Sequence, residues 1–191
     1  MASNDQRVYC DTGVWVAYML SGDKFFEQCQ TTIKKLEENN RIAVISNLAV
    51  METIHAIRKR IADDMRQTGD MEDAKNNTML ESKRVVEQFI RYVSRLQDRG
   101  NIEMIKPGHA VADHHQRVCS KMYRYAGQIK YINKSKKYRY AGLGHVDMEH
   151  AFLASDAGVG TFCSTDGGFA DLEADPDFSH MTFNILKPPN Q

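Results

Sequence analysis

The sequence predicts an α/β domain of three layers, with a mostly parallel central sheet between helices. Three observations predict it. Short apolar runs of strand length, such as Val8-Tyr9-Cys10 and Ile42-Ala43-Val44-Ile45, alternate with longer stretches of helical periodicity. Two of the strand-like runs close on an acid, the place from which an open α/β sheet directs side chains into a crevice at its carboxyl edge. The chain has 191 residues, enough to bury one real core.

Val8 to Cys10 reads as a short buried strand, followed by the apolar run Val14 to Leu20. Phe25 to Glu38 has Phe26, Cys29, Ile33 and Leu36 at helical spacing and ends at Asn39-Asn40. Ile42 to Ile45 is the second strand. Ser46 or Asn47 caps the next helix, which buries Val50, Ile54, Ile57, Ile61 and Met65 and carries Glu52, His55 and Lys59 along another face. Asp63 to Asn77 is polar and holds Gly69, which predicts a helix end and a loop. Thr78 to Arg99 predicts a long helix with Val86, Phe89, Ile90, Val93 and Leu96 inward and Gly100 as its stop. Ile102 to Ile105 is strand-like, and Pro107-Gly108 turns the chain. A helix is expected from His109 to about Lys130, and a basic loop from Asn133 to Gly144. Asp147 to Ala157 is helical with Gly158 as its stop, Gly160 to Ser164 is a strand, Asp166-Gly167-Gly168 is a turn, and Met181 to Leu186 is the last strand.

Lys and Arg together number 25, as do Asp and Glu, so the formal net charge is zero. The distribution says more than the sum. From His114 to Val146 there is no acid, yet Arg117, Lys121, Arg124, Lys130, Lys134, Lys136, Lys137 and Arg139 all occur; from Met148 to Leu186 there is no Lys or Arg. Tyr123, Tyr125, Tyr131, Tyr138 and Tyr140 interleave with the basic residues, a combination that suits unpaired RNA. Lys130, Lys134, Lys136, Lys137, Arg139, Tyr138 and Tyr140 are therefore candidate RNA contacts; the alternative is a solvated face or a surface that docks on acidic chain. The acids Asp171, Glu173, Asp175 and Asp177 read as a solvated loop. Cys10, Cys29, Cys119 and Cys163 have no zinc or CxxC spacing. With no disulfide framework, no secretory signal and no run able to span a bilayer, a cytoplasmic setting with no membrane contact is expected.

The chemistry-bearing feature is a set of four acids. Asp11 follows Val8-Tyr9-Cys10; Glu52 lies on the helix after Ile42 to Ser46; Asp147 opens Asp147-Met148-Glu149-His150-Ala151-Phe152-Leu153-Ala154; Asp166 ends Thr161-Phe162-Cys163-Ser164-Thr165. Crowded carboxylates repel unless a cation neutralises them, and hard divalent cations select oxygen. Taken singly each acid has an ordinary explanation: Asp11 and Asp166 as turn residues, Glu52 as an exposed helix residue, Asp147 as a helix cap. His145 and His150 flank Asp147 without zinc spacing and read as solvent-facing or substrate-near.

In order and context these four pieces resemble the PIN-domain family and the VapC-like ribonucleases within it. The resemblance rests on Val8-Tyr9-Cys10-Asp11-Thr12, Ser46 to Glu52, Asp147 to Ala154 and Ser164-Thr165-Asp166-Gly167-Gly168-Phe169. It implies a single PIN-like domain over residues 1–191 and leaves a segment of about 70–143 as a helical and basic elaboration. It implies that Asp11, Glu52, Asp147 and Asp166 bind Mg²⁺ or Mn²⁺ for hydrolysis of RNA phosphodiester bonds, with Thr12 and Thr165 as supporting hydroxyls. It also implies a protein antitoxin or regulator and a homodimer as partners. The chain departs from the family pattern at Gly13, where many relatives carry a polar residue or serine. A non-catalytic PIN-like RNA-binding or assembly module is the main alternative. An aspartic protease is disfavoured because Asp11-Thr12-Gly13 has no second copy and the chain is helix-rich; a haloacid-dehalogenase-like phosphatase is disfavoured because residue 13 is not Asp.

Overall fold

The computed structural model describes residues 6–67, 71–105, 116–121 and 143–189. Five strands form one sheet: β1 (Arg7–Cys10), β2 (Ile42–Ser46), β3 (Ile102–Ile105), β4 (Thr161–Ser164) and β5 (Thr182–Ile185). Their order is β3-β2-β1-β4-β5, and every neighbouring pair is parallel. The three-layer α/β architecture is the one expected, and the sheet is parallel throughout. β1 lies at the centre, with a neighbour from each half of the chain. Connections therefore leave in opposite directions on its two sides, and such a switch point opens a crevice at the carboxyl ends of the strands.

Side chains alternate across the sheet. Val8, Cys10, Ala43, Ile45 and Cys163 face a core shared with α1 (Thr12–Met19), α2 (Phe26–Glu38), α3 (Asn47–Gln67) and α4 (Met71–Asp98). Tyr9, Val44, Phe162 and Phe183 face a second core with α5 (116–121), α6 (His145–Asp156) and the 3-10 turns Gly167–Ala174 and Pro176–Phe178. Trp15 is fully buried in the first core and donates from Nε1 to the carbonyl of Cys10 at 2.9 Å, which ties α1 to the end of β1. Cys10, Cys29 and Cys163 are buried thiols, and burial pushes Cys29 and Cys163 up to about 12. They are small core residues with no nucleophilic character.

The helix ends follow their local chemistry. Ser46 Oγ accepts from the Ala49 N–H at 3.0 Å and caps α3. Asn40, Gly100 and Gly158 adopt positive φ of 51°, 72° and 66° just past α2, α4 and α6. Three expectations change. The polar stretch read as a loop is helical from Met71, because α4 packs along α3; Thr78 Oγ1 donates to Met65 Sδ at 3.1 Å. The buried face of α4 is Val85, Phe89, Val93 and Leu96, which leaves Ile90 46% exposed. Of the segment 70–143 set aside as an elaboration, α4 and β3 belong to the layered core.

The acidic stretch 171–177 differs at one acid, since Asp171, Glu173 and Asp177 are exposed as expected. It is folded into 3-10 turns, and Asp175 is buried. Lys121 of α5 donates to Asp175 Oδ1 at 2.6 Å and Asp177 Oδ2 at 2.7 Å. Arg117 pairs with Asp156 at 2.7 Å and lies 4.7 Å over the Phe152 ring. Two cations of the basic block are thus committed to the acidic end of the chain. Among the described residues no helix is long and apolar enough to cross a membrane.

Candidate active site

Asp11 is fixed by the end of β1. Its N–H extends the ladder to the Cys163 carbonyl at 3.0 Å, and its carbonyl accepts from the Val14 N–H at 3.0 Å to begin α1. The carboxylate is held at the switch point, 8% exposed. On the adjoining strand end, Ser164 Oγ donates to Asp11 Oδ2 at 2.9 Å and accepts from the Asp166 N–H at 3.0 Å. Asp166 is exposed at the rim, where its Oδ1 accepts from the Gly168 N–H at 2.8 Å. Glu52 reaches in from α3: its Oε2 accepts from Thr12 Oγ1 at 3.0 Å and lies 2.5 Å from His150 Nε2. Asp147, in the first turn of α6, accepts through Oδ2 from the Gly144 N–H at 2.6 Å. That bond is a cap, and the acid favours the helix N-terminus.

The four acids share a pattern. Each is anchored by donors of the chain: Ser164 and the Thr12 backbone for Asp11, Thr12 and His150 for Glu52, Gly144 for Asp147, Gly168 for Asp166. Among the described residues Glu52 Oε1, Asp147 Oδ1 and Asp166 Oδ2 accept no hydrogen bond, and Asp11 Oδ1 stands 4.0 Å from His150 Nε2. Oriented carboxylates with unclaimed oxygens are hard donors, which suit Mg²⁺ or Mn²⁺ in kind. Among the described residues no three His, Cys, Asp or Glu side chains are grouped to hold an ion as they stand, so gathering them on one requires side-chain rotation.

Electrostatics couples three of the acids. Burial pushes the Asp11 carboxyl above its ordinary value, the nearby Asp147 charge adds to this, and His150 and the Ser164 hydroxyl oppose it. Burial also pushes Glu52 up, but the hydrogen bond and charge of His150, with the Thr12 hydroxyl, outweigh it and hold Glu52 low. Burial pushes the His150 imidazole down, and Glu52, Asp11 and Asp147 carry it above its ordinary value instead.

Sequence reasoning missed four members of this site. Ser164 bridges Asp11 and Asp166. His150, expected to face solvent or lie near substrate, is 1% exposed and lies between Glu52, Asp11 and Tyr9. Tyr9 and Ser46 stand behind it. His150 follows Asp147 by three residues, so the helical repeat already put both on one face of α6. Thr165 is explained by Gly13: a Cβ on residue 13 would fall 2.3 Å from Thr165 Oγ1, so the threonine side chain fills the space that the glycine leaves. The candidate RNA contacts Lys130, Lys134, Lys136, Lys137, Arg139, Tyr138 and Tyr140 lie outside the described residues.

Compared with known proteins, the model of the PIN domain family matches residues 8–174. Solved structures with this fold include VapC20 of Mycobacterium tuberculosis, a toxin that cleaves the sarcin-ricin loop. It aligns with TM-score 0.53 at 14% identity, over 86% of this chain and 93% of that one. VapBC2 of Rickettsia felis, bound to a DNA fragment from their promoter, aligns with TM-score 0.54 at 9% identity, over 95% of this chain and 99% of that one. Among curated proteins none matches.

Proposed function

We propose a function on one premise: this chain belongs to the PIN domain family. We infer that it is a metal-dependent endoribonuclease, with Asp11, Glu52, Asp147 and Asp166 as its acidic centre. The observation that carries this is the anchoring of Glu52, Asp147 and Asp166, each with one oxygen held by the chain and the other unclaimed, beside the buried Asp11. A phosphodiester is anionic and repels hydroxide; bound Mg²⁺ or Mn²⁺ supplies an activated water and neutralises charge on the phosphate. Asp11, central and buried, is the principal ligand. Glu52 and Asp147 complete the site, and Asp166 at the exposed rim orients water or a further ion. Thr12 steadies Glu52, and Thr165 packs against the start of α1.

The biological role follows the relatives. The likeness to the toxin VapC20 and to VapBC2 supports a toxin role, and on this reading the chain is held by a protein antitoxin and works as a homodimer. RNA is the substrate. Its backbone is met by the basic, tyrosine-bearing stretch around Lys130 to Tyr140, and neutralising Lys134, Lys136, Lys137 and Arg139 together should weaken RNA binding and flatten its salt dependence.

The test is cleavage of a pool of structured and single-stranded RNA with Mg²⁺, Mn²⁺ or EDTA. Cleavage that needs metal and vanishes in Asp11→Asn is expected. Cleavage that persists in EDTA or in Asp11→Asn would overturn the assignment. RNA bound without cleavage under any metal would point to a non-catalytic module.

A further inference from the structure

His150 is nearly inaccessible, and both ring nitrogens are engaged. Nδ1 lies 2.7 Å from the Tyr9 hydroxyl, and that hydroxyl lies 2.8 Å from Ser46 Oγ. Ser46 Oγ in turn accepts from the Ala49 N–H in the first turn of α3, the helix that carries Glu52. The imidazole is braced from behind by a buried chain that begins on the same helix it faces. In front, Nε2 meets Glu52 Oε2 at 2.5 Å.

The hydrogen placement follows from donor counting. An ionised Glu52 only accepts, so Nε2 carries the hydrogen. With a neutral ring, Nδ1 accepts from Tyr9, and Tyr9 accepts from Ser46. With a protonated ring both rear bonds reverse. The front bond is the same in either state, so it depends on no titration. It also engages the oxygen that Thr12 already holds, Oε2. Two donors on one oxygen fix the carboxylate in rotation and leave Oε1 unclaimed.

We propose that His150 is a positioning residue: braced by Tyr9 and Ser46, it fixes the Glu52 carboxylate so that Oε1 is the oxygen presented to a divalent ion. This rests on the metal-dependent reading above. The same arrangement would serve any carboxylate ligand, whose hydrogen-bonding partners often matter nearly as much as the ligand itself.

The experiment measures Mn²⁺ affinity on the full chain by electron paramagnetic resonance of the free ion, with the melting temperature of each variant in EDTA as the folding control. His150→Leu should lose about 10–100-fold in Mn²⁺ affinity, the range typical of such partners. His150→Gln, whose side-chain amide can still donate to Glu52, should keep most of the affinity. Tyr9→Phe keeps the ring, stacked on Phe162 at 5.1 Å, and should lose a smaller factor. A merely structural histidine would lower the melting temperature and leave the affinity of the folded protein unchanged, with no rescue by Gln. His150→Leu that binds Mn²⁺ as tightly as wild type, or more tightly, overturns the proposal. If His150→Leu does not fold, unchanged affinity in Tyr9→Phe overturns it. A wild-type chain that binds no Mn²⁺ overturns the metal-dependent reading and this proposal together, whereas an unchanged variant beside a binding wild type removes only the positioning role.

Discussion

Two places in this fold gather carboxylates, and they treat them differently. Beside α5, Asp175 and Asp177 close on Lys121 at 2.6 and 2.7 Å, and Lys121 and Asp175 are both buried. The cation is part of the chain and saturates the acids. At the carboxyl ends of β1 and β4 and the starts of α3 and α6, Asp11, Glu52 and Asp147 share one imidazole, Asp166 is tied to Asp11 through Ser164, and Glu52, Asp147 and Asp166 each keep an oxygen apart from the anchor. The first cluster holds α5 onto the second core. In the second cluster, no Lys or Arg side chain closes on the acids among the described residues. A count of acids would rank the two alike; the partner separates them.

The sharpest way to break the contrast is Asp11→Asn. Cleavage should vanish while the fold remains, because Ser164 Oγ can donate to the amide oxygen as it does to the carboxylate. The stability change has a definite sign. Burial raises the folded pKa of Asp11 above its unfolded value. The contribution of such a group is full below the ordinary carboxyl range and lost as pH rises through the raised folded value. At neutral pH Asp11 therefore works against the fold, and Asp11→Asn should melt above wild type in EDTA. The gap should close as pH falls below about 4, the ordinary range of an Asp. A variant that melts lower at pH 7 would mean that Asp11 is a structural partner like Asp175.

Lys121→Met tests the other half. It removes the Lys121 cation from the buried Asp175, and breaking a buried pair from one side costs about 3–5 kcal/mol. The low end applies here, since the Asp177 side chain is 48% exposed and can turn to water. Adding Asp175→Asn should recover much of the loss, and chemical denaturation of the single and double variants measures it. Metal binding by the folded fraction should not move. If it does, the two clusters are coupled, and the contrast between them fails.

The same contrast explains how much was legible in the sequence. Strands were readable because Val8 to Cys10 and Ile42 to Ile45 are compact apolar runs, and the acids because they close or follow such runs. The reading of Asp175 as solvated failed because its partner Lys121 lies 54 residues away, where local composition carries no trace of it. The burial of His150 was not legible for the same reason: its partners Glu52 and Tyr9 lie 98 and 141 residues away. The start of α4 was missed because Met71 to Asn77 is polar and shows no apolar stripe, although the helix runs from Met71 to Asp98. Periodicity reports what a segment does alone, whereas charge pairing and relays are settled by topology.

Gly13 gives the smallest and most local test. As sequence it was a departure from a family position that often carries serine, which implied a weakened contact near Asp11. In the fold the space is occupied from across the sheet, since Thr165 Oγ1 stands 2.3 Å from where a Cβ would be. Gly13→Ser should therefore destabilise the chain by about 1–3 kcal/mol, the ordinary cost of overpacking. Thr165→Ala removes the hydroxyl and leaves Thr165 Cβ at 3.6 Å from the new Cβ, an ordinary contact. The double variant should thus be more stable than Gly13→Ser alone, and a thermal melt of all four proteins measures the coupling. If the two changes simply add, the pair does not share one space, and Gly13 is a plain loss. If they compensate, Gly13 and Thr165 form one unit, in which a side chain from the end of β4 does at the start of α1 what a residue of α1 does elsewhere.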